Sequence, residues 1–393
     1  MYKTLLSSTT FLLISINIYA NSDISSKELS GTPSHDFLKT TNGYVRVAYE
    51  NHNVENDKTY IDGALGLKLQ TESTSYYGIS FGSTFYVSKS LGASDNRGLV
   101  PFRGEVVNSY TILGEAYIKG VFGNTVVKFG RQEIETPFAQ ADDIGIVPNT
   151  FEAYILENKD IPSTTLFLGQ IQKMAGVDAE VVDSFTRINN DNNIQVVGLT
   201  YEGIANLGLS AWFYHLKDAE IDNINYIEAN YEDQIDTIGY AIGLQYSKQT
   251  YATQDNASIY GINISISHEN TGITLGSAYN KVVGNTATSG FGGGPFFSNS
   301  EYLIIDNVGK AGSQILFGLE LDASVLGIAG LSMGLSKVSL ENNIGKVSTE
   351  VDFVTNYSIS ENLEMHLIYS DLDGTNVGED HAKHMRAFVN YSF

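Results

Sequence analysis

From Asn42 to Phe393 the chain repeats one pattern: segments of about ten residues in which apolar and polar side chains alternate with a period of two. In GYVRVAYE, Val45, Val47 and Tyr49 oppose Arg46 and Ala48; in YIDGALGLKLQ, Leu65, Leu67 and Leu69 oppose Ala64, Gly66 and Lys68. Eighteen strands follow from this reading, near 43–50, 60–70, 76–89, 109–119, 123–131, 150–157, 164–172, 194–201, 207–216, 222–232, 237–247, 257–268, 271–281, 313–323, 329–339, 346–357, 361–371 and 383–393. Beyond the first twenty residues no apolar run is long enough for a helical membrane span. The segments do have the length needed to cross a bilayer as tilted strands.

The joints between segments decide what such strands can build. Tight connectors such as TEST, GVFGN, NKDIPS, EGIAN, EDQID, EN and SISEN alternate in position with longer ones at 51–59, 89–108, 132–149, 173–193, 248–256, 282–312 and 372–382. On the long side, just the joints near 217–221 and 340–345 are short. The long loops therefore gather at one end of the sheet, as in a transmembrane antiparallel β-barrel with short periplasmic turns and long external loops. The chain ends on HMRAFVNYSF, an alternating strand with no polar tail. Because no sheet edge can face lipid, this strand is expected to pair with the one starting near Asn42. That expectation places Tyr391 and Phe393 at the periplasmic interface, where aromatic rings are favourable.

Composition narrows the partners. The formal charge is -22, from 45 acids and 23 bases, which disfavours a nucleic-acid backbone. With no cysteine, disulfides and thiolate chemistry are excluded. Residues 1–20, MYKTLLSSTTFLLISINIYA, read as a secretory signal peptide, residues 21–41 as a flexible lead-in, and residues 42–393 as one barrel domain.

The stretch VKFGRQEIETPFAQADDIGIVPNTFEAYIL (127–156) resembles the third-loop region of OprD-like outer-membrane porins, through GRQ at 130–132, TP at 136–137, DD at 142–143 and VPNTFEAY at 147–154. Within that group it is most similar to the major outer-membrane porins of epsilon-class bacteria, and GGGPFFSNSEYLIIDN (292–307) resembles their seventh external loop. The resemblance implies an eighteen-stranded barrel, an inward-folded third loop forming the constriction, and a homotrimer in the outer membrane among lipid and lipopolysaccharide. It also implies that Asp143, five residues before Pro148, is the family's loop aspartate. An arginine commonly follows two residues later, where this chain has Gly145. The family's wall of bases, which guides carboxylates, is reduced here to Lys68, Lys119, Lys128 and Arg131.

Strand parity assigns Arg46, Asp62, Lys68, Glu115, Lys119, Lys128, Glu152, Glu320, Asp322, Glu350, Asp352, Glu364 and Arg386 to the pore wall. A charge facing mid-bilayer lipid would cost roughly 2–4 kcal/mol. Arg131 breaks the parity and is placed where its strand turns into the third loop. Glu133, Glu135, Asp142 and Asp143, with no base between 132 and 149, form the candidate constriction. Acids in a narrow opening concentrate cations and repel anions. No cofactor is required; calcium is a candidate ligand at Asp142 and Asp143, or at Asp371 and Asp373 in DLDGTNVGED.

Function follows as diffusion of ions and small hydrophilic solutes with weak cation selectivity. The alternative is a channel preferring small nutrients such as amino acids or carboxylates. A barrel hydrolase fits poorly, since Ser267 and His268 are adjacent and so face opposite sides of their strand. A structural or adhesive barrel fits poorly as well, because small lumen-facing residues such as Gly78, Ser80 and Gly82 leave open space.

Overall fold

The computed structural model describes residues 38–55, 59–93, 109–143, 145–217, 219–374 and 381–393. The signal peptide, most of the lead-in, the centre of the second long connector (94–108) and the 375–380 part of DLDGTNVGED lie outside the described residues.

The alternating segments do form strands: β1 (Leu38–Val54), β2 (Thr59–Ser73), β3 (Ile79–Ala93), β4 (Ser109–Phe122) and β5 (Thr125–Gln132). The next connector holds a small hairpin, β6 (Glu135–Thr136) and β7 (Ala139–Gln140). Then come β8 (Thr150–Asn158), β9 (Thr164–Ala175), the two-residue β10 (Thr186–Arg187), β11 (Ile194–Ile204), β12 (Leu207–Leu216), β13 (Ile221–Ile235) and β14 (Ile238–Tyr251). The remainder are β15 (Ala257–His268), β16 (Ile273–Gly284), β17 (Ser313–Asp322), β18 (Leu331–Glu341), β19 (Val347–Ser358), β20 (Leu363–Asp373) and β21 (His381–Ser392). Leaving out β6, β7 and β10, these strands form an eighteen-stranded antiparallel barrel. Closure is made by β21 on β1, from Ser392 opposite Tyr44 to Ala382 opposite Val54, and Gly43 and Phe393 exchange backbone hydrogen bonds. The terminal strand thus pairs where the sequence placed it, and no barrel strand is left as an edge.

Alternation sets the faces. Val45, Leu67, Phe81, Leu319, Leu335 and Val389 are all exposed, as lipid-facing residues of a barrel must be. Arg46, Ser80, Glu115, Ser336, Asp352 and Arg386 are buried on the inner face of their strands. At the short-turn end, Gly123, Asn206 and Asp236 adopt positive φ in tight hairpins, a conformation their residue types tolerate. Tyr76, Tyr77, Tyr391 and Phe393 are exposed at that end.

Two expectations change. Several strands run longer than the lipid requires, because the polar alternation continues past it: β1 reaches Val54 and β2 begins at Thr59, so the connector expected at 51–59 shrinks to a hairpin. β1 also begins at Leu38, inside the segment expected to be a loose lead-in. Inside the barrel, one apolar cluster joins Phe138, Phe296, Leu303 and Ile305 of the connectors to Tyr214 and Tyr226 of β12 and β13. A second joins Ile146 and Val147 to Ala48, Ala64, Tyr86, Ile112 and Phe388.

Candidate functional site

The segment 133–149 leaves β5, makes the β6–β7 hairpin and returns into β8. Its apolar side chains seat it at two places. Phe138 makes edge contacts with Tyr214, Tyr226 and Phe296, with ring centroids 5.5, 5.7 and 5.9 Å away. Near its other end, the Ile146 carbonyl accepts a hydrogen bond from the Tyr44 hydroxyl at 3.1 Å. Ile146 also lies where a β-carbon on Gly66 would come within 2.9 Å of it, so the glycine makes room for the segment.

The charged residues follow the same path. The Arg46 guanidinium on β1 grips Asp143 in a fork: Nη1 and Nη2 donate to the two carboxylate oxygens at 2.6 and 2.8 Å. Nη1 also donates to the Gly145 carbonyl at 2.5 Å, and Nε donates to Asn390 at 2.7 Å. Such planar, charge-assisted pairing is the strongest kind available to a carboxylate. Arg46 stacks 4.6 Å over the Tyr44 ring as well. One strand along, Lys68 Nζ lies 2.9 Å from Glu133, whose same oxygen accepts the Tyr86 hydroxyl at 2.5 Å.

Further along the wall each base again meets an acid. Lys128 Nζ lies 3.4 Å from Glu115, which also accepts from Thr84 at 2.6 Å and from the Glu133 amide at 3.3 Å. Lys119 lies 3.4 Å from Glu72, which accepts from Tyr117 and Ser80 at 3.0 Å each. Glu72 was not among the sequence candidates, because β2 was expected to end at Gln70. Its parity with Lys68 and Gln70 was the available signal.

The remaining acids of the segment are turned to the backbone. Asp142, at a positive φ of 43°, accepts from the Gly293 amide at 3.0 Å, linking this segment to the connector 285–312. Burial raises its carboxyl above the usual range, with the nearby Asp178 adding to the effect. Glu135 accepts from the Ala141 amide at 3.4 Å, and burial, reinforced by Glu133 and Asp143, raises it to about 7.

The connector 285–312 is held by the adjoining wall, across the β1–β21 seam. Glu350 on β19 accepts from the Tyr302 amide at 3.0 Å, the Leu303 amide at 2.7 Å and the Ser300 hydroxyl at 2.7 Å. Asp352, next along that face, accepts from Ser336 at 3.0 Å. Arg386 pairs with Glu301, and the His384 ring stacks 3.9 Å from Tyr302. Glu301 was another residue the sequence reading missed, although it sits within the 292–307 stretch singled out for its resemblance. Asp62 is fully buried on the inner face of β2. Glu320, Asp322 and Glu364 share the inner parity near the short-turn end, where Asp322 caps the turn by accepting from the Ser324 amide at 2.9 Å.

Glu152 is a correction. It shares the parity of exposed Tyr154, while its neighbours Phe151 and Ala153 are the buried ones. It stands opposite Arg131 on β5 and Lys173 on β9, lying 4.0 and 3.0 Å from their nitrogens. It therefore belongs to the outer face at the external end and not to the pore wall, because the two bases beside it satisfy the charge there. Arg131 does lie at the end of β5, as expected, and covers the Phe185 ring at 4.4 Å.

The calcium reading is weakened by the same contacts. Both oxygens of Asp143 are taken by Arg46, and Asp371 lies within 3.5 Å of His381 and 3.8 Å of Lys383. Among the described residues, no three His, Cys, Asp or Glu side chains group as they would around a metal.

Comparison with known proteins then places the chain. A family model described as outer membrane porin, OprD family, matches residues 38–392. The chain belongs to the OprD family of outer-membrane porins. It is accordingly a non-catalytic channel of the bacterial outer membrane. No curated protein sequence matches. Similar solved structures include Pseudomonas aeruginosa OccK9 (OpdG), with TM-score 0.79 and 17% identity over 90% of this chain and 97% of that one. Acinetobacter baumannii OccAB4 aligns with TM-score 0.76 and 15% identity over 90% and 97%. P. aeruginosa OpdK, solved with vanillate, aligns with TM-score 0.76 and 15% identity over 90% and 98%. At these identities the likeness shows the fold. These matches come from Pseudomonas and Acinetobacter, so they carry the broad OprD resemblance and not the narrower one to epsilon-class porins.

Proposed function

We propose that the chain is a substrate-preferring channel for small polar nutrients, with zwitterions such as amino acids favoured over plain carboxylates. The segment 133–149 is the inward-folded third loop and forms the constriction. Its support is that Phe138 packs on β12 and β13 while Ile146 and Asp143 engage β1 and β2. In this reading Glu133 and Asp143 present acid from the loop to the wall bases Lys68 and Arg46, while Glu135 and Asp142 hold backbone within and beside the loop.

The observation that carries the preference is the pairing of wall bases with acids. Arg46 with Asp143 and Lys68 with Glu133 leave little free positive charge to draw a carboxylate, in contrast to a bare basic ladder. Paired acids and bases side by side at the opening instead offer a partner to each end of a solute carrying both signs. Net selectivity among simple ions is weakly cationic, and salt screening over about 8 Å keeps it modest. OpdK was solved with vanillate, a carboxylate, whereas the wall bases of this chain are paired with acids.

Solute flux into proteoliposomes tests the reading, using alanine, lactate and glycerol as solutes of similar size. Alanine is expected to enter fastest. Lactate entering fastest would instead support a carboxylate channel. Rates ordered by size alone would support general diffusion. Assembly as a homotrimer is part of the proposal, and mass measurement on gently extracted protein checks it.

A further inference from the structure

The outer face carries charge that the pore does not use. Lys248 on β14, Lys281 on β16 and Lys337 on β18 have the parity of lipid-facing Leu244, Tyr279 and Leu335. Each lies three or four residues from the external end of its strand, which ends at Tyr251, Gly284 or Glu341. A lysine facing the bilayer midplane is costly, but near the interface that cost almost vanishes. Their common level near the external end is therefore where such a residue is tolerated, and where lipid headgroups lie.

The three are linked through the sheet. Lys281 is opposite Tyr260 on one side and Ser313 on the other; Lys248 is opposite Ser258, the second residue before Tyr260. Lys337 is opposite exposed Phe317. Tyr246 and Tyr260 pack at 5.1 Å between centroids on the same face. Lys281 Nζ donates to the Ala311 carbonyl at 3.4 Å, which fixes its position, and no ion pair to Lys248 or Lys337 is found among the described residues. Glu341, at the end of β18, is the acid nearest in register, standing opposite Ser313. A chain with 45 acids and 23 bases has thus set bases on this outer patch of three strands, backed by aromatic rings.

We propose that this face of β14, β16 and β18 binds the phosphorylated glycolipid of the outer leaflet, with the lysines on its phosphates and Tyr246, Tyr260 and Phe317 along its acyl and sugar boundary. Charge complementarity selects this occupant: ammonium groups at headgroup depth pair with phosphate, and several together add. The inference rests on the outer-membrane location and is independent of which solute the pore prefers.

Native mass spectrometry of the intact barrel in mild detergent provides the test, with purified bis-phosphorylated lipid A as probe and dephosphorylated lipid A and phosphatidylethanolamine as comparisons. The wild-type chain is expected to retain bis-phosphorylated lipid A at least about tenfold more tightly than its dephosphorylated form. The triple variant Lys248→Gln, Lys281→Gln, Lys337→Gln is expected to lose that preference while single-channel conductance stays unchanged. Equal binding of the two lipid A forms by the wild type would overturn the proposal, and this arm needs no variant to fold. A variant that keeps full lipid A preference would overturn it too. So would a variant that loses subunit association while retaining the lipid, since the face would then be a contact between copies. Solute flux is read separately, so failure here leaves the transport proposal standing, and the reverse holds as well.

Discussion

The wall of β1 to β5 and the adjoining wall of β18 to β21 hold their loops by different balances of contact. On the first, wall bases reach side chains of the loop: Arg46 takes Asp143 and Lys68 takes Glu133. On the second, beside a single such pair of Arg386 with Glu301, the wall acid Glu350 receives two backbone amides and a hydroxyl of connector 285–312. A buried carboxylate gathering amides fixes a backbone, whereas a side-chain pair is uncovered by removing either partner. In the proposed reading the first wall serves selectivity and the second chiefly anchorage. The two loops are joined where Asp142 accepts from Gly293.

The sharpest way to break this contrast is Glu350→Leu. It strands three donors, each worth about 1–3 kcal/mol when left unsatisfied. We expect connector 285–312 to become sensitive to limited proteolysis and the open channel to become noisy, with ion selectivity little changed. Glu350→Gln, which keeps an acceptor, is expected to do less.

Arg46→Ala comes next. Asp143 loses a forked pair, an effect of roughly 1.5–3 kcal/mol for hydrogen bonds to a charged group, reduced because Asp143 is partly exposed. Thermal unfolding in detergent should shift down, and Arg46→Lys should fall between, since the charge remains without the planar fork. If Arg46→Ala destabilises more than Glu350→Leu, the assignment of anchorage to the second wall is wrong.

A pH effect follows in size. Glu135 has a folded value of about 7 against an ordinary carboxylate near 4. The folded state therefore holds its proton to higher pH, so the contribution of this group to stability is present at low pH and fades between about 4 and 7. In the same window the opening gains negative charge. Cation preference measured at low salt should rise from pH 5 to pH 8, and Glu135→Gln should flatten that rise. The smallest effect is Gly66→Ala, whose new β-carbon would press on the Cγ2 methyl of β-branched Ile146 at 2.9 Å, so that the loop must shift slightly. We expect a loss of about 1 kcal/mol and a small change in conductance.

The barrel was legible in the sequence because each strand declares its two faces locally: Val45 against Arg46, or Leu335 against Ser336, needs no distant information. Closure at Phe393 was legible because lipid forbids an edge. Strand ends were less so, since in β1 and β2 the alternation beyond the membrane is polar on both faces. Glu152 was assigned to the lumen by strand parity, but in β8 its parity is that of exposed Tyr154, and the bases that satisfy it there, Arg131 and Lys173, lie on neighbouring strands. The acids of 133–149 were visible as a cluster, but not their partners. Arg46 and Asp143 are 97 residues apart, and neither periodicity nor composition reports which base a loop acid will meet.

The central claim is that Arg46 and Asp143 neutralise one another where the proposed constriction loop meets β1. Reversal potential across a planar bilayer under a potassium chloride gradient tests it most directly. At low salt, Asp143→Asn should uncover the guanidinium and shift the channel toward chloride, while Arg46→Ala should shift it toward potassium. Both variants leaving the reversal potential at the wild-type value, or moving it in the same direction, would contradict the account.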